Sequence, residues 1–174
     1  MLYVPKPGDI GLTGSKSLTG RIVKAAQSLI DDHSFVTHTF IVLYDGWIIE
    51  AQPGGATFDR LDKYPGAVFS RFSLTEDQRT DIVVEAIKLH GTPYSFLDYL
   101  AIGLSHHKVC PQFIRNRVKS SGHMICSQLC VEAYRRAGVE LFPENHLPMD
   151  VTPVKLANRV VEHNSRHQRR RLDT

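Results

Sequence analysis

The alternation of apolar and polar residues predicts a β-hairpin in the first third of the chain. Two runs rich in β-branched and aromatic residues, 37–44 and 47–51, flank the turn-forming pair Asp45-Gly46. The segment 53–55, Pro-Gly-Gly, is expected to end the second run because both residue types interrupt strands. Two further short strands are predicted, at 9–12 and 67–72.

Apolar residues that recur at three- and four-residue steps predict helices elsewhere in the chain. The predicted helices cover 19–30, 75–90 and 126–137. A last helix is expected to begin with Thr152 as its cap and Pro153 at its first position. The predicted hairpin and the predicted helices together indicate an α+β fold. We therefore expect a single α+β domain over 1–162 and a basic, disordered tail over 163–174, where no apolar face continues.

The composition is that of a globular protein, since 174 residues with 42% hydrophobic and 22% charged residues suffice for one buried core. No apolar run approaches the ~18 residues of a membrane helix, and the first residues lack the apolar segment of a signal peptide. We therefore expect a cytoplasmic protein, or a phage product that lysis releases or a virion carries. The net charge of +3 comes largely from the last arginines, which favours a solvated tail over a nucleic-acid contact.

One cysteine, Cys126, stands where a helix is predicted to begin. Ser121-Gly122 interrupts the chain just before it, and Arg135, Arg136 and Gly138 suit its end. The N–H groups of a first helical turn favour a thiolate and lower its pKa from ~8.5. The chain has 3 cysteines, and this odd number argues against a disulfide framework. Cys126 is therefore a candidate nucleophile, and the alternative is a small apolar residue on a core helix.

His38 is the candidate base, because an imidazole in an apolar β run is costly unless it is bonded or used. The hairpin turn decides whether Glu50 shares its face. A two-residue loop at 45–46 would point Glu50 away from His38. The alternative is a three-residue loop over 44–46 with a left-handed glycine, which would place Glu50 and Gln52 on the face of His38. The catalytic hypothesis requires this second turn, with Glu50 or Gln52 orienting the imidazole.

The order of a histidine strand, a hairpin acid and a late Cys-Ser-x-Leu helix resembles the circularly permuted NlpC-type, papain-fold cysteine amidases and peptidases. Lecithin:retinol acyltransferase-like proteins share this order, and the resemblance spans most of the chain. It implies a papain-like α+β fold whose antiparallel sheet packs against the cysteine helix. In that family Cys126 would be the nucleophile and His38 the base. Glu50 would take the third polar position, and Tyr94, in Gly-Thr-Pro-Tyr, would face the cysteine.

The resemblance also implies acyl transfer through a thioacyl intermediate, with no metal and no organic cofactor. The expected substrate is a small peptide or acyl amide, such as a peptidoglycan peptide or an N-acyl amino acid. Ile125 and Gln128 stand where the cell-wall members have the aspartate and glycine of Asp-Cys-Ser-Gly. This departure concerns the peptidoglycan specificity and leaves the thiol chemistry in place.

Three other functions fit parts of the sequence. A zinc site would draw its ligands from Cys126, Cys130, His123, His106, His107 and Cys110. Against zinc, the sequence has no Cys-x-x-Cys pair, and Cys126 and Cys130 share an apolar helix face. A fold of this type used only for binding is a second alternative. A lipid acyltransferase or phospholipase is the third, although lipid-modifying relatives usually carry a hydrophobic anchor, which this sequence lacks.

Overall fold

The structure is a computed structural model that describes residues 3–14, 36, 38–52, 54–93, 125–142 and 151–172, with side chains described as far as 166. The strands are β1 (Ile10–Thr13), β2 (His38–Val42), β3 (Trp47–Gln52), β4 (Gly55–Arg60) and β5 (Val68–Phe69). The helices are α1 (Glu76–Lys88), α2 (Cys126–Arg136) and α3 (Pro153–Leu172). The described part is thus of the predicted α+β class. The helix predicted at 19–30 lies outside the described residues.

The five strands form one antiparallel sheet in the order β4-β3-β2-β1-β5. The predictions of β1, of the hairpin β2–β3 and of a strand within 67–72 are confirmed, although β5 is only two residues long. The prediction that the second strand ends at 53–55 is confirmed, since β3 ends at Gln52, but the strand β4 that follows was not predicted. Gly54 and Gly55 have φ values of 110° and 126°, which L side chains rarely adopt, and they turn the chain back into β4.

The turn between β2 and β3 has the three-residue form. Tyr44–Gly46 makes a single 3₁₀ turn, with Asp45 and Gly46 both left-handed at φ 54° and 70°. The N–H of Leu43 donates to the carbonyl of Trp47 at 2.8 Å, which closes the loop. Phe40 therefore lies opposite Glu50, as the three-residue hypothesis requires.

The main hydrophobic core includes inward-facing residues of the sheet and residues of all three helices. Helix α2 contacts β2 and β3, and α1 packs on α2. The largest fully buried side chains of this core include Ile10, Ile41, Ile49, Ile82, Leu129, Tyr134 and Leu156. A smaller cluster, of Phe40, Val42 and Ile48, covers the opposite face of the hairpin. Because strand residues alternate between faces, His38 and Glu50 belong to this second face.

Helix α1 begins with a capping box. The hydroxyl of Thr75 accepts from the N–H of Gln78 at 3.1 Å, and the Gln78 side chain accepts from the N–H of Thr75 at 3.0 Å. Arg79 in the same helix donates to Asp9 at 2.9 Å, with both side chains buried. This pair ties α1 to the segment that enters β1.

Helix α3 begins as predicted but runs further than predicted. Thr152 caps it by accepting from the N–H of Lys155 at 3.2 Å. The chain is predicted to be disordered from 163, whereas in the structure α3 continues to Leu172. Asn164 accepts from the Arg71 N–H and donates to the Phe69 carbonyl, each at 2.9 Å, which fixes this part of the helix to β5. No described helix has both the length and the apolar character needed to cross a membrane.

Candidate active site

The site is built around the first residue of α2. Cys126 begins that helix directly after Ile125. The backbone of Ile125 is extended, and its apolar side chain accepts no hydrogen bond from the first turn of the helix. The N–H of Ile125 instead donates to the Gln128 side chain at 3.1 Å. The Ser127 hydroxyl donates to the carbonyl of Val151 at 2.6 Å and anchors the helix start to the chain before α3. The position of the thiol at a helix N-terminus is thus as the sequence predicts.

The hairpin delivers an imidazole and a carboxylate to this thiol. His38 opens β2, and its Nε2 is hydrogen-bonded to Oε2 of Glu50 in β3. The His38 side chain is also a hydrogen-bond partner of Cys126. Since Nε2 is engaged by the carboxylate, Nδ1 is the ring nitrogen left for the thiol. Cys126, His38 and Glu50 therefore form one chain of hydrogen bonds, as the sequence analysis expects of these residues.

The charged forms of Cys126, His38 and Glu50 stabilise one another. Burial lowers the pKa of His38, but hydrogen bonds and charges of Cys126 and Glu50 raise it more, to about 9. Burial raises the pKa of the Cys126 thiol, and the contacts with His38 and Thr39 reverse this, leaving it below its ordinary value. The arrangement favours a thiolate beside an imidazolium at neutral pH.

Glu50 sits at the centre of a hydrogen-bond network that sequence analysis missed in part. It is fully buried, and besides His38 it accepts from Gln52, Lys63 and Tyr64. Burial raises the pKa of Glu50, but His38 above all, then Tyr64 and Lys63, hold it well below its usual range. Gln52 therefore supports Glu50 and has no described contact with His38.

Thr39 links the two buried cysteines of α2. Its backbone and side chain both contribute hydrogen bonds that favour the Cys126 thiolate. The Cys130 thiol, one helical turn further on, donates to the Thr39 hydroxyl at 3.6 Å. Burial raises the pKa of Cys130, so this thiol stays protonated. Cys130 packs in the core and has the environment of a structural cysteine.

Access to the candidate nucleophile is narrow. Cys126 is 3% exposed and His38 is 9% exposed. Tyr94, expected to face the cysteine, lies outside the described residues. So do the other proposed zinc ligands: His106, His107, Cys110 and His123. Among the described residues, no group of three or more His, Cys, Asp or Glu side chains has the arrangement of a metal site.

No protein-family model matches the chain, and a search of curated proteins found no match either. The geometry of the site therefore carries the functional argument by itself.

Proposed function

We propose that the protein is a cysteine hydrolase that cleaves an amide bond, built on a circularly permuted, papain-like fold of the NlpC type. The observation that carries the proposal is the hydrogen-bonded chain of Cys126, His38 and Glu50, with the thiol at a helix N-terminus. A nucleophile, a base within hydrogen-bond reach and a third group that orients the base are what covalent acyl transfer needs.

Acylation follows from the charge state of the pair. The Cys126 thiolate attacks the carbonyl carbon of the amide, and the carbonyl π electrons move onto oxygen. The backbone N–H at the start of α2 stabilises this oxyanion, an interaction of a kind commonly worth ~3–4 kcal/mol per donor. The His38 imidazolium then gives its proton to the departing nitrogen, the C–N bond breaks, and an amine and a thioester remain.

Deacylation uses the same residues in the reverse roles. His38, now neutral, takes a proton from a water molecule as the water oxygen attacks the thioester carbon. The C–S bond breaks, the carboxylic acid leaves, and the thiolate–imidazolium pair forms again. Throughout both steps Glu50 holds the imidazole with Nε2–H toward the carboxylate and Nδ1 toward the sulfur, as the acid of a catalytic triad does.

The proposed substrate is a small peptide or an acyl amide, either a peptidoglycan peptide or an N-acyl amino acid. A test compares turnover of purified peptidoglycan fragments, N-acyl amino acids and phospholipids by the wild-type protein. We expect release of an amine from one of the amide substrates, and complete loss of turnover in Cys126→Ala and His38→Ala.

A matched control uses the other helix cysteine. Cys130→Ala removes a thiol that stays protonated, so it should retain turnover and labelling of Cys126 by a thiol-directed amide probe, mapped by mass spectrometry. Hydrolysis of phospholipids alone would reassign the protein to lipid chemistry. No turnover of any substrate together with no labelling of Cys126 would refute the hydrolase proposal.

A further inference from the structure

A buried carboxylate needs partners on all its lone pairs, and those of Glu50 come from three elements. Its side chain is fully buried and lies opposite Thr57 of β4, a neutral residue. Gln52, on the same strand, donates to Oε1 at 2.7 Å. An unpaired buried carboxylate would take up a proton and lose its hold on the imidazolium. The groups that keep Glu50 ionised therefore control the cysteine–histidine pair.

Two of these groups lie side by side in the turn after β4. Lys63 ends the short 3₁₀ helix Leu61–Lys63, and its Nζ donates to Oε1 of Glu50 at 2.9 Å. Tyr64 follows directly, and its hydroxyl donates to Oε2 at 2.6 Å, the same oxygen that meets His38. The Tyr64 ring stacks on Phe40 with centroids 5.0 Å apart, which fixes the direction of the hydroxyl.

We propose that Lys63 and Tyr64 are positioning residues, which keep the Glu50 carboxylate ionised and aimed at His38, so that the Cys126 thiolate persists into mildly acidic solution. This inference rests on the proposed cysteine chemistry and deepens it. Neither side chain touches the sulfur in the described contacts. Each acts through Glu50.

Lys63 reduces the excess of negative charge around Glu50 from two to one. Among the described residues, the charged groups in this network are Glu50, His38, Lys63 and Asp59, with Cys126 beyond His38. Lys63 bridges Glu50 and Asp59, and its side chain is 40% exposed, so the ammonium reaches solvent. With a thiolate and two carboxylates facing one imidazolium, loss of Lys63 would leave two negative charges in excess.

The protonation states fit these roles. Burial lowers the pKa of Lys63, but its hydrogen bonds to Asp59 and Glu50 raise it above the ordinary value, so it stays a cation. Burial and the hydrogen bond to Glu50 both raise the pKa of Tyr64, so its hydroxyl keeps the proton that it donates. Both groups are therefore permanent donors over the pH range in which a cysteine hydrolase would work.

The test follows the thiolate directly and needs no substrate. The rate at which iodoacetamide alkylates Cys126 is measured from pH 3 to 9, with the site of modification read by mass spectrometry. The variants are Lys63→Met, Lys63→Arg and Tyr64→Phe. Lys88→Met is the matched control, because Lys88 makes an exposed ion pair with Glu85 on α1, away from the network.

Lys63→Met should raise the acid-side midpoint of alkylation by up to about one pH unit, because loss of the ammonium shifts the Glu50 carboxyl pKa by one unit or more and part of this change reaches the sulfur through His38. Lys63→Arg should restore the midpoint, and Tyr64→Phe should raise it by about half a unit through the lost hydrogen bond. Lys88→Met should leave it unchanged. A variant that only loosened the fold would change the labelling rate without moving its midpoint.

An unchanged midpoint in both Lys63→Met and Tyr64→Phe overturns the inference, as does a wild-type thiol that titrates at its ordinary pKa. These outcomes are separate from failure of the proposed function. A wild-type protein that hydrolyses no amide, but whose Cys126 midpoint moves as described, would retain the positioning network and lose the proposed reaction.

Discussion

The contribution of Glu50 to the protonation of His38 can be measured with one isosteric substitution. Glu50→Gln removes the negative charge and keeps the shape of a fully buried side chain. Lys63 then loses one partner but keeps Asp59 and its access to solvent, so no cation is stranded in the core. The fold should therefore persist, and the change should appear in the titration of the imidazole.

The size of the effect follows from the opposing influences on His38. The pKa of His38 lies at about 9 against an ordinary 6.5, a net rise of about 2.5 that corresponds to about 3 kcal/mol. Burial alone would lower the pKa, so Cys126 and Glu50 together raise it by more than this net amount. Removal of one of two hydrogen-bonded anions should therefore lower the pKa by at least about one unit.

The direction of the pKa shift of His38 decides at which pH the effect is seen. A folded-state pKa above the unfolded one means that the imidazolium contributes its full stability below pH 6.5 and loses it as pH rises through about 9. The alkaline limb of turnover, at which the imidazolium loses the proton meant for the leaving amine, should also lie near this upper value. In Glu50→Gln both changes should begin at a lower pH.

The assay is an NMR titration of the histidine ring signals, with His38→Gln identifying the resonance. Glu85→Gln serves as the control, since Glu85 pairs with Lys88 on the surface of α1. The control should leave the pKa of His38 in place. The reasoning is refuted if Glu50→Gln leaves the pKa of His38 within about 0.3 units of the wild-type value, since a carboxylate in contact shifts a pKa by more.

Two glycine substitutions test the packing around the site by urea unfolding. Gly11→Ala should lower the free energy of unfolding by about 2 kcal/mol, because the new Cβ would lie 2.2 Å from the buried ring of Phe40, and Phe40→Leu should recover part of the loss. Gly138→Ala should cost about 1 kcal/mol through its left-handed backbone, with φ of 71° and no nearby atom. Gly66→Ala, equally open but without a positive φ, should cost almost nothing, and equal effects at both sites would contradict the backbone argument.

The parts of the site that sequence analysis predicted are set by local rules. Alternation along β2 and β3 restricts Glu50 to one of two faces, and the turn chooses between them. The sequence allows both turns. In the structure Asp45 and Gly46 are left-handed, and the turn is the three-residue form. The start of α2 at Cys126 is equally local, since it depends on a break in the chain followed by helical periodicity.

The parts that were missed depend on contacts between distant segments. Lys63 and Tyr64 reach Glu50 only because β4 turns back along β3, and β4 was not predicted from the sequence. No periodicity marks that turn as part of a site. Lys63 and Tyr64 follow Asp62 in a polar turn, and nothing in this local sequence indicates a catalytic role. The extension of α3 past 163 was missed for a similar reason, because Asn164 finds its partners on β5.

The two positions that depart from the resembled motif have a structural role that bears on the thiol. The first turn of α2 carries no acidic residue, and the cap position is held by Ile125, which is fully buried. An aspartate at 125 would place a carboxylate next to the sulfur of Cys126 and raise the pKa of the thiol. Gln128 supplies the acceptor for the Ile125 N–H without a charge. The nearest anion in the hydrogen-bond network is then Glu50, and the His38 imidazolium lies between its carboxylate and the sulfur. A positive charge next to the sulfur, with the negative charge behind it, favours the thiolate over the thiol.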